Sequence, residues 1–181
     1  IECAAFPSAE AASLESYKYR ITNINDWFLK AEEDGKIVGL ICCRPVAIEG
    51  VTDDMYEPEP VADGKVICIL SVATEPNLQR RGIAAKLIEA LIAKAKERGM
   101  DAVSLACKDK LVHYYAKFGF VLNGISASEH GGELALESCV LEHFHALVPV
   151  VLHLAGSPRG GAEQQCVVVL DVVGREVLHV D

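Results

Sequence analysis

The run VICILSVAT, Val66 to Thr74, constrains this chain more than any other stretch. A continuous β-branched, apolar run reads as a strand covered on both faces, because a strand with one wet face would alternate. Behind it, after the loop EPNLQRR, comes an amphipathic helix from Gly82 to Arg98. Ile83, Leu87, Ile88, Leu91, Ile92 and Ala95 share one face at the helical period, and Gly99 stops the helix. A doubly covered strand feeding a helix with one apolar stripe is a building unit of a layered α/β domain.

The flanking segments extend that unit. Ala11 to Thr22 predicts a helix with Leu14, Tyr17 and Ile21 on one face. WFLKAEE predicts a strand, Asp34-Gly35 a tight hairpin turn, and KIVGLICCRPV the partner strand. After the central helix come a short strand, DAVSLAC, and a helix from about Lys108 to Phe118 that ends at Gly119. FVLNG and GGELALE read as the arms of a final antiparallel pair. A hairpin first, then strands alternating with helices, gives an α/β domain with a mixed sheet.

Composition marks one boundary. All ten lysines precede residue 139, whereas four of the six histidines and eleven valines follow it. The expected organisation is therefore a domain over 1–138 and an appended segment over 139–181. The latter is either a native extension or a reading-frame or splicing accident, and the accident is the expectation, because the composition changes there. The 181 residues suffice for one core without a disulfide or metal staple.

The net charge of −9 argues against nucleic acid as the main partner and suits cationic substrates. No apolar run is long enough for a membrane-spanning helix. Seven cysteines, none in a CxxC pair, sit mostly in apolar runs, which fits free thiols in a reducing, cytoplasmic compartment. A zinc site from Cys139, His143 and His145 lacks a second ligand pair, so no metal is expected. The composition fits a monomer or a homodimer alike.

Two loops carry chemical interest. Residues 48–64, IEGVTDDMYEPEPVADG, form a long acidic connection that is either a binding loop or ordinary solvated surface. QRRGIA, Gln79 to Ala84, lies between the buried strand and the amphipathic helix. The first turn of a helix presents N–H groups without intrahelical partners at its positive end. Gly82 and Ala84 leave room for a phosphate, and Arg80 and Arg81 add positive charge, so the segment fits an anion site. Taken alone, the hexapeptide reads first as a glycine turn with two solvated arginines, and only its context turns the reading toward an anion site.

The order of pieces is more specific than any one of them. ECAAFPSAEAAS, GKIVGLI, MYEPE, ILSVATEPNLQRRGIA and LACKDKLVHYYAKFGF run across residues 1–138. In that order they resemble the GCN5-related N-acetyltransferases, and within them the arylalkylamine (serotonin-type) N-acetyltransferases. The resemblance implies that superfamily's α/β fold, a mixed, mostly antiparallel sheet with flanking helices. It also implies acetyl-CoA as donor and direct attack by the primary amine of a small molecule, an arylalkylamine or a polyamine. The CoA pyrophosphate would lie on Arg80, Arg81, Gly82, Ile83, Ala84 and Ala85. The pantetheine arm would pair like an added strand with Val72, Ala73 and Thr74. Acetylation of a protein N-terminus or lysine, and a non-catalytic acyl-CoA-binding module, are the rival readings.

The resemblance also suggests roles. Tyr115, in YYAKFGF, matches the tyrosine that protonates the departing thiolate, a task for a phenol still protonated at neutral pH. Without the resemblance, its spacing to Leu111 and Phe118 reads first as a core aromatic. Two family histidines on the central strand are replaced by Cys68 and Leu70, neither of which shuttles protons. Glu10, four residues after Phe6, matches a family glutamate and becomes the candidate base; the alternative is a helix-start carboxylate. Glu57 is a weaker candidate, and His113, in place of a family proline, reads as surface. The family's first strand precedes its first helix, and the chain begins inside that helix region, so that strand is expected to be missing.

Overall fold

The computed structural model describes residues 1–8, 10–48, 50–126 and 128, together with the main chain of 135–136 and 165–171. The strands are β1 (Phe28–Glu33), β2 (Lys36–Val46), β3 (Val66–Thr74), β4 (Ala102–Lys108), β5 (Val121–Ile125), β6 (Ala135–Leu136) and β7 (Gln165–Asp171). The helices are α1 (Glu2–Ala5), α2 (Leu14–Asn23), α3 (Ile83–Glu97) and α4 (Val112–Tyr115).

The sheet runs β1-β2-β3-β4-β7-β5, with β6 beside β7. Pairing is antiparallel except between β3 and β4 and between β6 and β7, so the mixed, mostly antiparallel sheet is observed. Asp34 and Gly35, at φ 52° and 74°, form the β1–β2 turn, with the positive φ pair that twisted hairpins favour. β5 pairs with β7, and the described part of the GGELALE segment that the sequence suggested as its partner, Ala135–Leu136, pairs with β7 as well. β7 comes from the segment read as appended, and it sits between β4 and β5.

Both faces of β3 are buried. On one, Ile67 and Ile69 meet Leu87, Ile88, Leu91 and Ala95 of α3. On the other, Val66, Cys68 and Leu70 meet Val51, Met55 and Tyr56 of the 48–64 connection. Each buried large apolar side chain contributes about 1.5–3 kcal/mol, so this two-sided cover anchors the strand. Gly39 of β2 lets α3 approach: a Cβ there would stand 2.6 Å from Ile83 Cγ2.

The acidic connection is tied down from beneath. Arg44, 3% exposed, donates Nη1 to the Met55 oxygen at 2.7 Å and Nη2 to the Glu59 oxygen at 2.7 Å. Arg20, 2% exposed, donates Nη2 to the Tyr56 oxygen at 2.9 Å. Buried guanidinium groups satisfy carbonyls that an irregular backbone would leave unpaired.

That function also turns α2 around. Ser13 caps the helix, accepting from Ser16 N at 3.0 Å, so it begins at Leu14 and not at Ala11. Ser16 and Arg20 face inward, while Leu14 is 72% and Ile21 54% exposed. Of the apolar stripe expected to pack, Leu14 and Ile21 face outward, and Tyr17 alone reaches inward, packing edge-on against Phe28.

Candidate active site

A bulge shapes the site. Cys42 pairs with Ser71 and Cys43 with Ile69, so Leu70 is the extra residue in β3. A bulge bends and twists its strand. Pairing of β3 with β4 runs from Val66–Ala102 to Ile69–Leu105 and stops there. Beyond that point the strands part, and a cavity of about 400 Å³ opens between them. Ile69 to Val72 and Leu105 to Lys108 form its two walls, with Phe6 and Glu10 closing it on one side and Tyr115 on another.

At the end of β3 the chain turns through Gln79–Gly82 into α3. Arg80 and Gly82 adopt left-handed backbone, φ 63° and 79°. For arginine that conformation costs about 1–2 kcal/mol. The first intrahelical bond is Lys86 N to Gly82 O at 3.1 Å, so the amides of Ile83, Ala84 and Ala85 have no partner within the helix. The loop is exposed, as an anion site requires. Arg81, however, already holds Glu33 of β1, with Nη1–Oε2 and Nη2–Oε1 both 3.1 Å. The two arginines are therefore unequal: Arg81's charge is largely answered within the chain.

Val72, Ala73 and Thr74 lie on β3 past the last β4 pair, where that edge of the strand faces the cleft. Their other edge pairs with Ile41, Leu40 and Gly39 of β2.

Tyr115 answers to both readings of the sequence. It is 8% exposed and packs edge-on against Phe120, centroids 5.8 Å apart, yet it lines the cavity. Burial, then the neighbouring Cys107 and Tyr114, push its phenol up from the ordinary value near 10. The hydroxyl therefore keeps its proton across the neutral and mildly alkaline range.

Glu10 also lines the cavity, where its Oε1 accepts from Lys108 Nζ at 2.8 Å. Glu57 and His113 are exposed and stand outside the cavity wall. Cys68 and Leu70 are buried; burial pushes the Cys68 thiol up to about 12. Cys139, His143 and His145 lie outside the described residues, and among those described no group of three metal-ligating side chains occurs. No described helix is long and apolar enough to cross a membrane.

Sequence reasoning missed a polar cluster behind β3. Glu2 is 7% exposed on α1, Ser71 is buried beside the cavity, and Tyr17 of α2 stands between them in its effects. Burial first, then Glu2, raise the Tyr17 phenol, while Ser71 opposes the rise. A glutamate flanked by Ile and Cys-Ala-Ala in a mostly apolar start was the available signal.

Similarity to known proteins agrees with this geometry. Over 62 residues the chain is 37% identical to the Oryza sativa subsp. japonica protein called probable glucosamine 6-phosphate N-acetyltransferase 2. That match covers 34% of the chain and 37% of the relative's length. The crystal structure of the Escherichia coli ribosomal-protein-S18-alanine N-acetyltransferase superposes with TM-score 0.58 at 15% identity, covering 100% of this chain and 89% of that one. The GphF GNAT-like decarboxylase in complex with isobutyryl-CoA superposes at 0.64 and 15% identity, covering 94% and 91%. At such identities these structures establish the fold. The family model of the acetyltransferase (GNAT) family matches residues 2–120, and the chain belongs to that family.

Proposed function

We propose that this protein is an acetyl-CoA-dependent N-acetyltransferase whose acceptor is the primary amine of a small molecule. The observation that carries the reading is the parting of β3 and β4 after Ile69–Leu105. It joins an unpaired strand edge, an α3 N-terminus with free amides and a cavity containing a protonated tyrosine.

The residues present fit the donor. Ile83, Ala84 and Ala85 amides, with Gly82 giving close access and Arg80 adding charge, would hold the pyrophosphate. The free edge at Val72, Ala73 and Thr74 would take the pantetheine amides as an added strand. When bound, acetyl-CoA supplies an acetyl thioester whose C–S bond is broken by the amine. Tyr115, kept protonated by its burial, donates to the leaving sulfur. Glu10, fixed by Lys108, contributes a carboxylate that binds the ammonium at the cavity wall.

A cavity of about 400 Å³ suits a small acceptor. Arylalkylamines and polyamines are the first candidates. The relative's name adds an amino sugar phosphate, a class for which Lys108 and Lys110 in the cavity wall would be useful. The reading is tested by incubating the protein with acetyl-CoA and tryptamine, phenylethylamine, spermidine, glucosamine 6-phosphate or a peptide N-terminus, following free thiol. Fastest turnover with a small amine supports it; turnover confined to the peptide favours a protein acetyltransferase.

A further inference from the structure

Three buried polar atoms gather on the face of β3 opposite α3. Glu2 Oε2, Tyr17 Oη and Ser71 Oγ are each buried without a hydrogen-bond partner among the described residues. Buried polar atoms are rarely left so, and a group of three calls for a physical explanation. The β3 bulge produces the arrangement. With Leu70 as the extra residue, Leu70 and Ser71 both turn toward the face covered by α1 and α2, and Val72 turns toward α3. Ser71 thus belongs both to the cavity wall and to the cluster behind it.

The two carboxylates near the cavity differ in kind. Glu10 is bound by an ammonium at 2.8 Å. Glu2 keeps one oxygen unpartnered, and its other oxygen only accepts from Ala12 N at 3.4 Å. A proton acceptor needs a free lone pair, which Glu2 has, and Tyr17, influenced by both Glu2 and Ser71, is the group that can link it to the cavity wall.

We propose that Glu2 is the acceptor of the amine's proton, reached through Ser71 and Tyr17. This rests on the acetyl-transfer reading above. Ser71, turning about its single side-chain torsion, takes a proton from the substrate ammonium and passes its own to Tyr17, which passes its own to Glu2. Each hydroxyl ends with one proton, and Glu2 has gained one. The freed nitrogen lone pair forms the N–C bond, the C–S bond breaks and the sulfur takes the proton of Tyr115. The second nitrogen proton restores Tyr115, and Glu2 returns its proton to water. Ser71 is the group that meets the substrate; Glu2 and Tyr17 act behind it as positioning residues. The titratable groups acting on Glu2 are Tyr17 from α2 and Cys42 from β2; Ser71 of β3 acts on Tyr17, and Arg20 of α2 and Arg44 of β2 act on Cys42.

The test uses Glu2→Gln, which keeps the shape and the acceptor for Ala12 N, and Ser71→Ala as a smaller second change. Thiol release is followed with whichever amine of the panel the parent protein turns over. At about pH 7 each variant should lose about 100-fold in kcat, with acetyl-CoA affinity by calorimetry unchanged. The deficit should shrink about tenfold per pH unit toward the amine's own pKa, because free amine needs no acceptor. A pH-independent deficit, or none, would overturn the assignment of Glu2 while leaving acetyl transfer by the parent intact. No thiol release by the parent would overturn both. A readout without substrate comes from infrared difference spectra of the free protein. The carboxylate band lost in Glu2→Gln should shift in Tyr17→Phe, and an unmoved band would show that the two are not linked.

Discussion

Lys108, the last residue of β4, holds Glu10 at 2.8 Å, joining the segment after α1 to the opposite wall of the cavity. Both side chains are about one-quarter exposed or less. The contact therefore fixes the mouth of the cavity as well as its charge. Glu10→Gln should raise KM for a cationic amine up to about tenfold while kcat stays within about threefold, since a charge-assisted contact is worth about 1.5–3 kcal/mol. Steady-state kinetics at varied amine check this; a pure kcat loss would make Glu10 the proton acceptor in place of Glu2.

The two arginines of QRRGIA should separate. Arg81 is paired with Glu33, both about half exposed. Arg80→Glu should therefore weaken acetyl-CoA more than Arg81→Glu, and the double variant about 100-fold by calorimetry. Thermal stability should barely change, because exposed ion pairs contribute little. Equal single-variant effects would show that Arg81 leaves Glu33 when the donor binds.

Gly39→Val places a side chain where a Cβ already stands 2.6 Å from Ile83 Cγ2 and 3.2 Å from the Ala73 oxygen. Overpacking of this kind costs about 1–3 kcal/mol. The push falls on the start of α3, so acetyl-CoA affinity should fall with stability. A denaturation midpoint equal to the parent's would refute the close approach.

Alkaline pH should unfold the protein from within. Burial pushes Cys42 and Cys68 up to about 12 from 9.0. A group whose folded value lies above its unfolded one favours the protonated fold. That stability is whole below about pH 9 and drains away as pH rises toward 12. Tyr17, Tyr56 and Tyr115 are raised in the same direction. The urea midpoint should be flat from about pH 7 to 8.5 and then fall, with a shallower fall in a Cys42→Ala, Cys68→Ala variant. A midpoint constant to about pH 11 would contradict the burial of these thiols.

Much of the architecture was legible because it depends on local pattern. β2 and β3 lie where the runs KIVGLICCRPV and VICILSVAT begin and end, and α3 differs from its expected span by one residue at each end. The helix expected over 108–118 breaks into α4 flanked by two 3-10 turns, a difference of backbone winding that side-chain spacing does not reveal. α2 was misread for a deeper reason. Periodicity counts apolar residues, whereas Arg20 and Arg44 are buried to hold carbonyls of the 48–64 connection. Arg44 inside an apolar strand was a visible sign of such a partner. Ser71 faces the same side as Tyr17 only through the β3 bulge, which depends on strand register and not on composition.

β7 makes a prediction about the segment beyond 138. It pairs with β4 from Ala102–Asp171 to Lys108–Gln165 and with β5 on its other side. Removing 139–181 would expose both neighbouring strands as edges. The truncated chain should lose solubility and its cooperative unfolding transition, read by gel filtration and circular dichroism. A truncated chain that stays monomeric and equally stable would show that 1–138 needs no strand between β4 and β5.

The most direct measurement is amine-dependent thiol release from acetyl-CoA by the parent protein and by Tyr115→Phe, with donor affinity measured on both. Acetyl transfer in the β3–β4 cleft predicts turnover with at least one small primary amine. It also predicts a loss of about 10- to 100-fold in kcat on removing the Tyr115 hydroxyl, with acetyl-CoA affinity unchanged. Acetyl-CoA binding with no thiol released by any amine would contradict the account and leave a binding module in its place.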